Sequence, residues 1–593
     1  MYRGIEPVSM EPNPSAQSRR FPEEAESSIR FPHANITAVD AISDVFRSTV
    51  GPRSMDVLVL DTSAAGDSDD AGVAVDEYAV TGDGARLLQS LSVEHPVGEL
   101  LERSIGPYRP GDTDIDGKDV FDGVGSKVVF ASELLANSLG LLERGVHPQE
   151  IVSGYRSGLA VVEETLRSAS VTPETDGRVS AADAARTALT GNDFGRMREE
   201  LAELAATAAR EIGEPNERSF DVTTVRHGSI RDSRLIEGTV LDRNTVVHRE
   251  MPRRVEDANV LLLGGHDQGG LQDPDVVDDF EVQLESPDAL GAFERTAANE
   301  RRELVDRIVR VGADVVLTQM GINSHYQQLL ADRGIMAIRR VHPRNLQRLS
   351  LATGATVVKH NDDVGPEHLG RCGTVVEREI EQRKHRRKHR RIVVFEGCTD
   401  PDSVTMLLCG TFGQLESQAP REVRKAVLAA AQSMRDGPSE GVVPGGGATE
   451  TAIARRIRQE AQTRGSKSQL AMNEYAAALE GLVKTLVENA GLDPLATVTD
   501  LRTANRTNAN VGVVLPDGEI TDTLEAGVVD TAATKKEVYR SGTDLATSIL
   551  RVDDALDATF EGKTVDTGEA IHREPAERHR EYVEDADSRT IWE

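Results

Sequence analysis

Three consecutive glycines, Gly445–Gly447, follow Val442-Val443-Pro444 and lead into a helical pattern from Thr449 through Ile453 and Ile457. Glycines carry no Cβ and take positive φ without steric cost, so this backbone can press against a ligand. The helix that follows offers unpaired N–H groups at its start, which attract an anion. Such a turn occurs in many unrelated chains. Its weight comes from the segments that accompany it.

Upstream, Thr49-Val50-Gly51-Pro52-Arg53-Ser54 precedes the apolar run Val57–Leu60. Then come Gly82-Asp83-Gly84-Ala85 and Val93-Glu94-His95-Pro96. Downstream lie Glu488-Asn489-Ala490-Gly491-Leu492-Asp493 and Glu525-Ala526-Gly527-Val528-Val529-Asp530. In this order the segments resemble the group II chaperonins, the archaeal thermosome and its eukaryotic cytosolic relatives. The resemblance runs from about residue 35 to residue 556, nearly the whole chain of 593 residues.

The chain also changes texture along its length. Helix-period apolar residues fill 36–50, 128–142 and 476–490. Between them, short β-like runs at 259–263, 314–318, 335–338 and 356–359 alternate with helical stretches, an α/β pattern. One helical domain is therefore expected to be split by an insertion, giving a multidomain α and α/β protein. The resemblance implies an equatorial domain at 1–152 and 419–593, an intermediate domain at 153–228 and 385–418, and an apical domain at 229–384. Residues 1–30 read as a polar tail. Ser286-Pro287 is suited to open a helix that runs to Gly312. The resemblance matches this helix to the built-in lid.

Residue by residue, the resemblance implies an ATP site with Mg²⁺. Val50, Gly51 and Pro52 match the phosphate loop. Asp83 and Gly84 match Asn-Asp-Gly-Ala, with Asp83 positioning the attacking water. Gly446 matches the glycine beside ribose and base, and Asp530 the ribose acceptor. Asp122 matches the Mg²⁺ ligand, followed by Gly123. Three departures stand out. The family's Gly-Asp-Gly-Thr-Thr-Thr is here Phe121-Asp122-Gly123-Val124-Gly125-Ser126, so only Ser126 keeps a hydroxyl. The family's general-base aspartate opens Asp-Ala-Leu in a helix, and alignment from Glu422 puts Ala429 in its place. Asn192 stands where the nucleotide-sensing loop has lysine. Losing a positioned base typically costs about 10²–10⁴ in rate.

Composition bounds the remainder. No apolar stretch reaches the ~20 residues that span a bilayer, and no secretory leader is visible, so a cytoplasmic protein is expected. Cys372, Cys398 and Cys409 form no zinc spacing. Net charge is −31, and 57 of the 68 cations are arginine. That balance resembles proteins of salt-loving archaea, so a salt-adapted, halophilic protein is expected, with arginine-rich codon usage and an ordinary acidic surface as the alternative. The basic run 383–391 carries no aromatic residues, so nucleic acid is not expected as a partner. The expected partners are unfolded client proteins and paralogous ring subunits. The expected function is a chaperonin subunit with impaired ATP hydrolysis. The alternatives are a fully active folding chaperonin and a free holdase or regulatory relative.

Overall fold

The computed structural model describes residues 27–552 except 62–76, 92–95, 106–122, 192–193, 195–196, 214, 216–218, 226–227, 243, 266–270, 272–286, 381–389, 399–402, 411–413 and 438. The described residues up to Arg551 cluster as one compact unit. Within it the apolar side chains gather into separate cores.

The first core is helical and draws on both ends of the chain. Helices Ser27–Arg47, Val124–Glu143 and Pro148–Ala169 pack with Ala448–Ala461, Ser468–Asn489 and Ala532–Leu550. Phe46, Phe130, Tyr155, Leu479 and Tyr539 are buried together. The Phe130 ring meets Tyr475 and Tyr539 edge-on, with centroids 5.4 and 5.3 Å apart, the geometry the ring quadrupoles favour. Buried phenols are satisfied: Tyr155 donates to the Leu134 carbonyl at 2.5 Å, and Tyr475 pairs with Thr543 at 2.9 Å.

A second core belongs to a sheet ordered 238–242, 390–398, 370–380, 254–263, 315–318, 336–338, with 357–358 also pairing 254–263. One half is antiparallel and the other parallel. Parallel strands buried on both faces read as continuous apolar runs, as Val315-Val316-Leu317 and Leu261–Leu263 do. Helices Pro287–Val311, Ser324–Asp332 and Pro343–Thr353 accompany this sheet.

A third core joins strands Phe220–Val225, Val404–Cys409 and Arg234–Ile236 to helices Ala181–Ala188, Arg198–Ile212 and Gln414–Ser433. Its residues flank the second core on both sides in sequence. The chain thus passes from the first core through the third to the second, then back in reverse.

Element boundaries differ from the periodicity in places. The first helix stops at Arg47 although the apolar pattern continues to Val50. There the Thr49 hydroxyl and N–H both bond the Phe46 carbonyl, closing the last turn. The helix also starts at Ser27, inside the stretch read as tail. The expected 356–359 strand is only Val357–Val358. Gly312, at φ +83°, follows the helix Pro287–Val311 as expected. Ser286 and most of the basic run lie outside the described residues.

Candidate functional site

Four backbone turns converge on a cavity of about 470 Å³. The first is Val50-Gly51-Pro52, held from below by the Asn489 amide, which donates to the Arg47 and Val50 carbonyls at 2.7 Å each. The second is Gly82-Asp83-Gly84, where strand Glu77–Thr81 meets helix Gly84–Ser90. Asp83 caps that helix, its Oδ1 accepting from the Arg86 N–H at 2.9 Å. The third is Gly123, just before the helix at Val124. A Cβ on Gly84 would lie 2.7 Å from the Gly125 nitrogen, so the second and third turns meet backbone to backbone. The fourth is the triple glycine. Gly446 has φ +58°, and a Cβ there would lie 2.2 Å from the Val513 carbonyl oxygen, so no side chain fits. Two helices therefore begin at the cavity from glycines, at Val124 and at Ala448. Neither start carries a side-chain cap, and the dipoles of the two helices favour an anion there.

Two charge clusters edge this space. In the first, the Lys425 ammonium donates to Asp83 Oδ2 at 2.6 Å and lies 3.2 Å from Glu422 Oε1. Burial alone would raise the Asp83 pKa, but the lysine beside it, with Arg86 N–H and Arg421, holds it below the usual carboxylate range. In the second, Lys535 pairs with Glu450 and lies 3.1 Å from Asp530 Oδ2. The Tyr539 hydroxyl donates to Glu450 Oε1 at 2.5 Å. Burial works against the Lys535 charge, yet Asp530 and Glu450 lift its pKa well above the ordinary lysine value.

Of the residues singled out in the sequence, Val50, Gly51, Pro52, Gly84, Gly123, Ser126, Gly446 and Asp530 line the cavity. Asp83 meets it through Lys425. Asp122 and Phe121 lie outside the described residues, as does Asn192. Lys127 turns to Glu537, 3.5 Å away on the last helix. Ala429 lines the cavity, but it is Lys425, one turn earlier on the same face, that reaches Asp83. The helix thus presents a cation to the cavity at Lys425. Lys425 was not singled out in the sequence. Glu450, Lys535 and Tyr539 were also missed, because a helix-period pattern does not reveal which polar positions face inward.

Among the described residues, no group of three or more His, Cys, Asp or Glu is placed to hold a metal, and no helix is long and apolar enough to cross a membrane.

Residues 42–559 match the model of the TCP-1/cpn60 chaperonin family. The chain is 34% identical over 526 residues to a thermosome subunit beta of Desulfurococcus mucosus, covering 87% of this chain and 98% of that one. It is 33% identical to a thermosome subunit beta of Methanothermobacter thermautotrophicus, covering 89% and 92%. The thermosome subunit alpha of the same organism is 31% identical, covering 94% and 95%.

Proposed function

As the chain belongs to the TCP-1/cpn60 chaperonin family and is a group II chaperonin, we propose that its cavity binds ATP but hydrolyses it poorly. The observation that carries this reading is the Lys425 ammonium on Asp83. A general base needs a lone pair within reach of the attacking water. A lysine ammonium that donates to two carboxylates has none to offer. It also engages the carboxylate that would position that water. Ala429, one turn away at the expected base position, cannot compensate. The loss of hydroxyls at Val124 and Gly125 acts in the same direction. Binding survives because phosphate is held chiefly by backbone N–H groups, and those turns are intact. Asp122 would contact Mg²⁺ brought in with the nucleotide.

In this reading the chain is a structural subunit of a double-ring assembly that encloses unfolded protein, and active paralogues supply the turnover. The nested order of the three cores supports an equatorial, an intermediate and an apical domain. The helix Pro148–Ala169 packs in the first core, strand Arg390–Cys398 lies in the second core's sheet and the helix Gln414–Ser433 packs in the third, so boundaries at 152, 384 and 418 do not coincide with the cores. The test is ATP turnover by the purified chain in molar salt, alone and mixed with paralogous subunits, beside direct ATP titration. Binding with turnover at least about 100-fold below an active family member is expected. Turnover equal to that member would overturn the reading, and so would failure to bind ATP.

A further inference from the structure

Cysteine is scarce in this chain, three in 593 residues, yet two of the three touch. Cys372 and Cys398 stand directly opposite each other on the antiparallel strands Gly370–Ile380 and Arg390–Cys398. Their sulfurs are 3.3 Å apart, and both are buried free thiols. Directly opposed residues of such strands project to the same face, with Cβ atoms about 4.5–5.5 Å apart. A disulfide needs about 3.5–4.5 Å, so a small approach of the strands closes the bond. The neighbouring positions leave room for it. Gly373 faces Gly397, whose φ is +69°, and no side chain stands between the two backbones. A buried cysteine ordinarily serves as a small apolar residue, and Cys409, on another strand and in another apolar cluster, fits that use. The pair also marks where the chain passes between the second and third cores. Cys398 ends its strand just before the chain leaves for Val404–Cys409. At the other crossing, Gly238 follows strand Arg234–Ile236, and a Cβ there would lie 3.2 Å from the Cys398 sulfur.

We propose that Cys372 and Cys398 form a reversible disulfide in the folded chain when it meets a small peroxide, and that this bond stiffens the crossing between the second and third cores. The hydrogen bond from the Cys398 thiol holds Cys372 below the ordinary cysteine pKa against the effect of burial, and the same contact pushes Cys398 up. Cys372 is therefore the attacking thiolate. Its sulfur takes one peroxide oxygen, the O–O bond breaks, and a sulfenic acid forms while hydroxide leaves and takes up the proton that Cys372 gave off. The Cys398 sulfur then attacks the Cys372 sulfur. The S–S bond forms, the S–O bond breaks, and the hydroxyl departs as water with the Cys398 proton. In sum, two thiols give up two electrons and two protons, and one peroxide becomes two waters. A dithiol reductant reverses the bond by exchange. Cys372 is 2% and Cys398 6% exposed, which favours a small oxidant over a protein one. The bond ties the strand end at the crossing to strand Gly370–Ile380, which is itself paired on its other edge with Arg254–Leu263.

The experiment treats the folded full-length chain with hydrogen peroxide, quenches, denatures without reductant and counts thiols. The expected result is a fall from three thiols to one, a mass lower by two hydrogens, and one crosslinked peptide pair joining Cys372 to Cys398. Dithiothreitol should restore all three thiols. Cys409→Ser should lose its two remaining thiols in the same way, and Cys372→Ser should form no intrachain bond. Melting curves confirm that each variant is folded, and the wild-type peptide map decides the pairing even if a variant is not. In the oxidised chain, amide hydrogen exchange across 238–242 and 390–398 should slow at least about threefold relative to the reduced chain. Three thiols surviving a peroxide dose that consumes a small free thiol would overturn the proposal. So would oxidation to sulfinic acid without a crosslink, or a crosslink that involves Cys409. A bond that forms but leaves the exchange unchanged would overturn the stiffening of the crossing.

Discussion

Two neighbours on one helix point into two very different charge clusters. Lys425 faces the cavity. Arg424 turns about 100° away and meets Asp221 on strand Phe220–Val225. Asp221 also receives Arg348 Nη1 at 2.6 Å from helix Pro343–Thr353. Arg348 is 2% exposed. Its Nη2 donates to the Thr405 hydroxyl at 3.0 Å, which in turn donates to the Gly238 carbonyl at 3.0 Å. Around Asp221 the cations are arginines, whose planar forks fix one geometry. Around the cavity, at Asp83 and Glu450, they are lysines, and open space lies beside them. Since lysine is scarce in this chain, with 11 against 57 arginines, its use at both cavity clusters is pointed. The contrast separates a charge cluster that holds elements together from one that remains available to a ligand.

The largest effect should come from the closed cluster. Asp221→Asn keeps the shape but leaves two arginines, one of them buried, without their counter-charge. Breaking a buried pair in this way costs about 3–5 kcal/mol. Denaturant unfolding should show that loss with little change in ATP affinity. A loss below 1 kcal/mol, as at a surface pair, would break the distinction drawn above.

At the open cluster, Lys425→Met should cost less stability, about 1–2 kcal/mol, because Asp83 and Glu422 can recruit water from the cavity once the ammonium is gone. Nucleotide binding should respond instead. If Lys425→Met destabilised the fold as much as Asp221→Asn, its role would be structural.

Much of this was open to reading in the sequence, and the limits are physical. The triple glycine at Gly445–Gly447 was recognisable as a turn from its residues alone, while Gly51, Gly84 and Gly123 were singled out through the family resemblance, and all of these turns line one cavity. Strand runs such as Val315–Thr318 were visible because burial on both faces leaves them continuously apolar. Charged residues carry no such mark. Arg424 and Lys425 are adjacent and both cationic, and only the rotation of the helix decides which one enters the cavity. Arg348 looks like a solvated position in its helix, yet it is buried because Asp221 comes from more than a hundred residues upstream. Pairing between distant segments leaves no local periodicity to detect.

The pH dependence should sharpen the comparison. Desolvation of the half-buried Asp83 and Asp221 and of the buried Glu450 and Glu480 would raise their pKa values, yet their cations hold each below its ordinary value. The folded state then binds fewer protons than the unfolded chain in acid. The stability from these groups is complete above the unfolded carboxylate values of about 4 and is lost as pH falls through the folded ones. Unfolding free energy should therefore decline from about pH 5 downward. Asp221→Asn should flatten that decline, since its carboxylate no longer titrates. Lys425→Met should flatten it too, because Asp83 returns toward its ordinary value, but it should leave the Asp221 contribution intact. A decline unchanged in Asp221→Asn would show that this carboxylate does not govern acid unfolding.

The smallest effect belongs at the surface. Glu164 and Arg167 pair across one turn of the helix Pro148–Ala169, with side chains 50% and 53% exposed. Exposed pairs contribute about 0–1 kcal/mol, so Glu164→Gln should change stability by no more than about 0.5 kcal/mol in dilute buffer. In molar salt the Debye length falls to ~3 Å and even that should vanish. The same salt should leave the cost of Asp221→Asn nearly unchanged, because buried pairs are poorly screened. Overall stability should move in the opposite direction, rising with salt as the repulsion within a chain of net charge −31 is screened. Melting temperatures of the wild type and both variants across salt would separate these terms. A wild-type melting temperature that does not rise with salt would remove the salt-adapted reading of the composition. The buried arginine cluster would remain the larger determinant of stability.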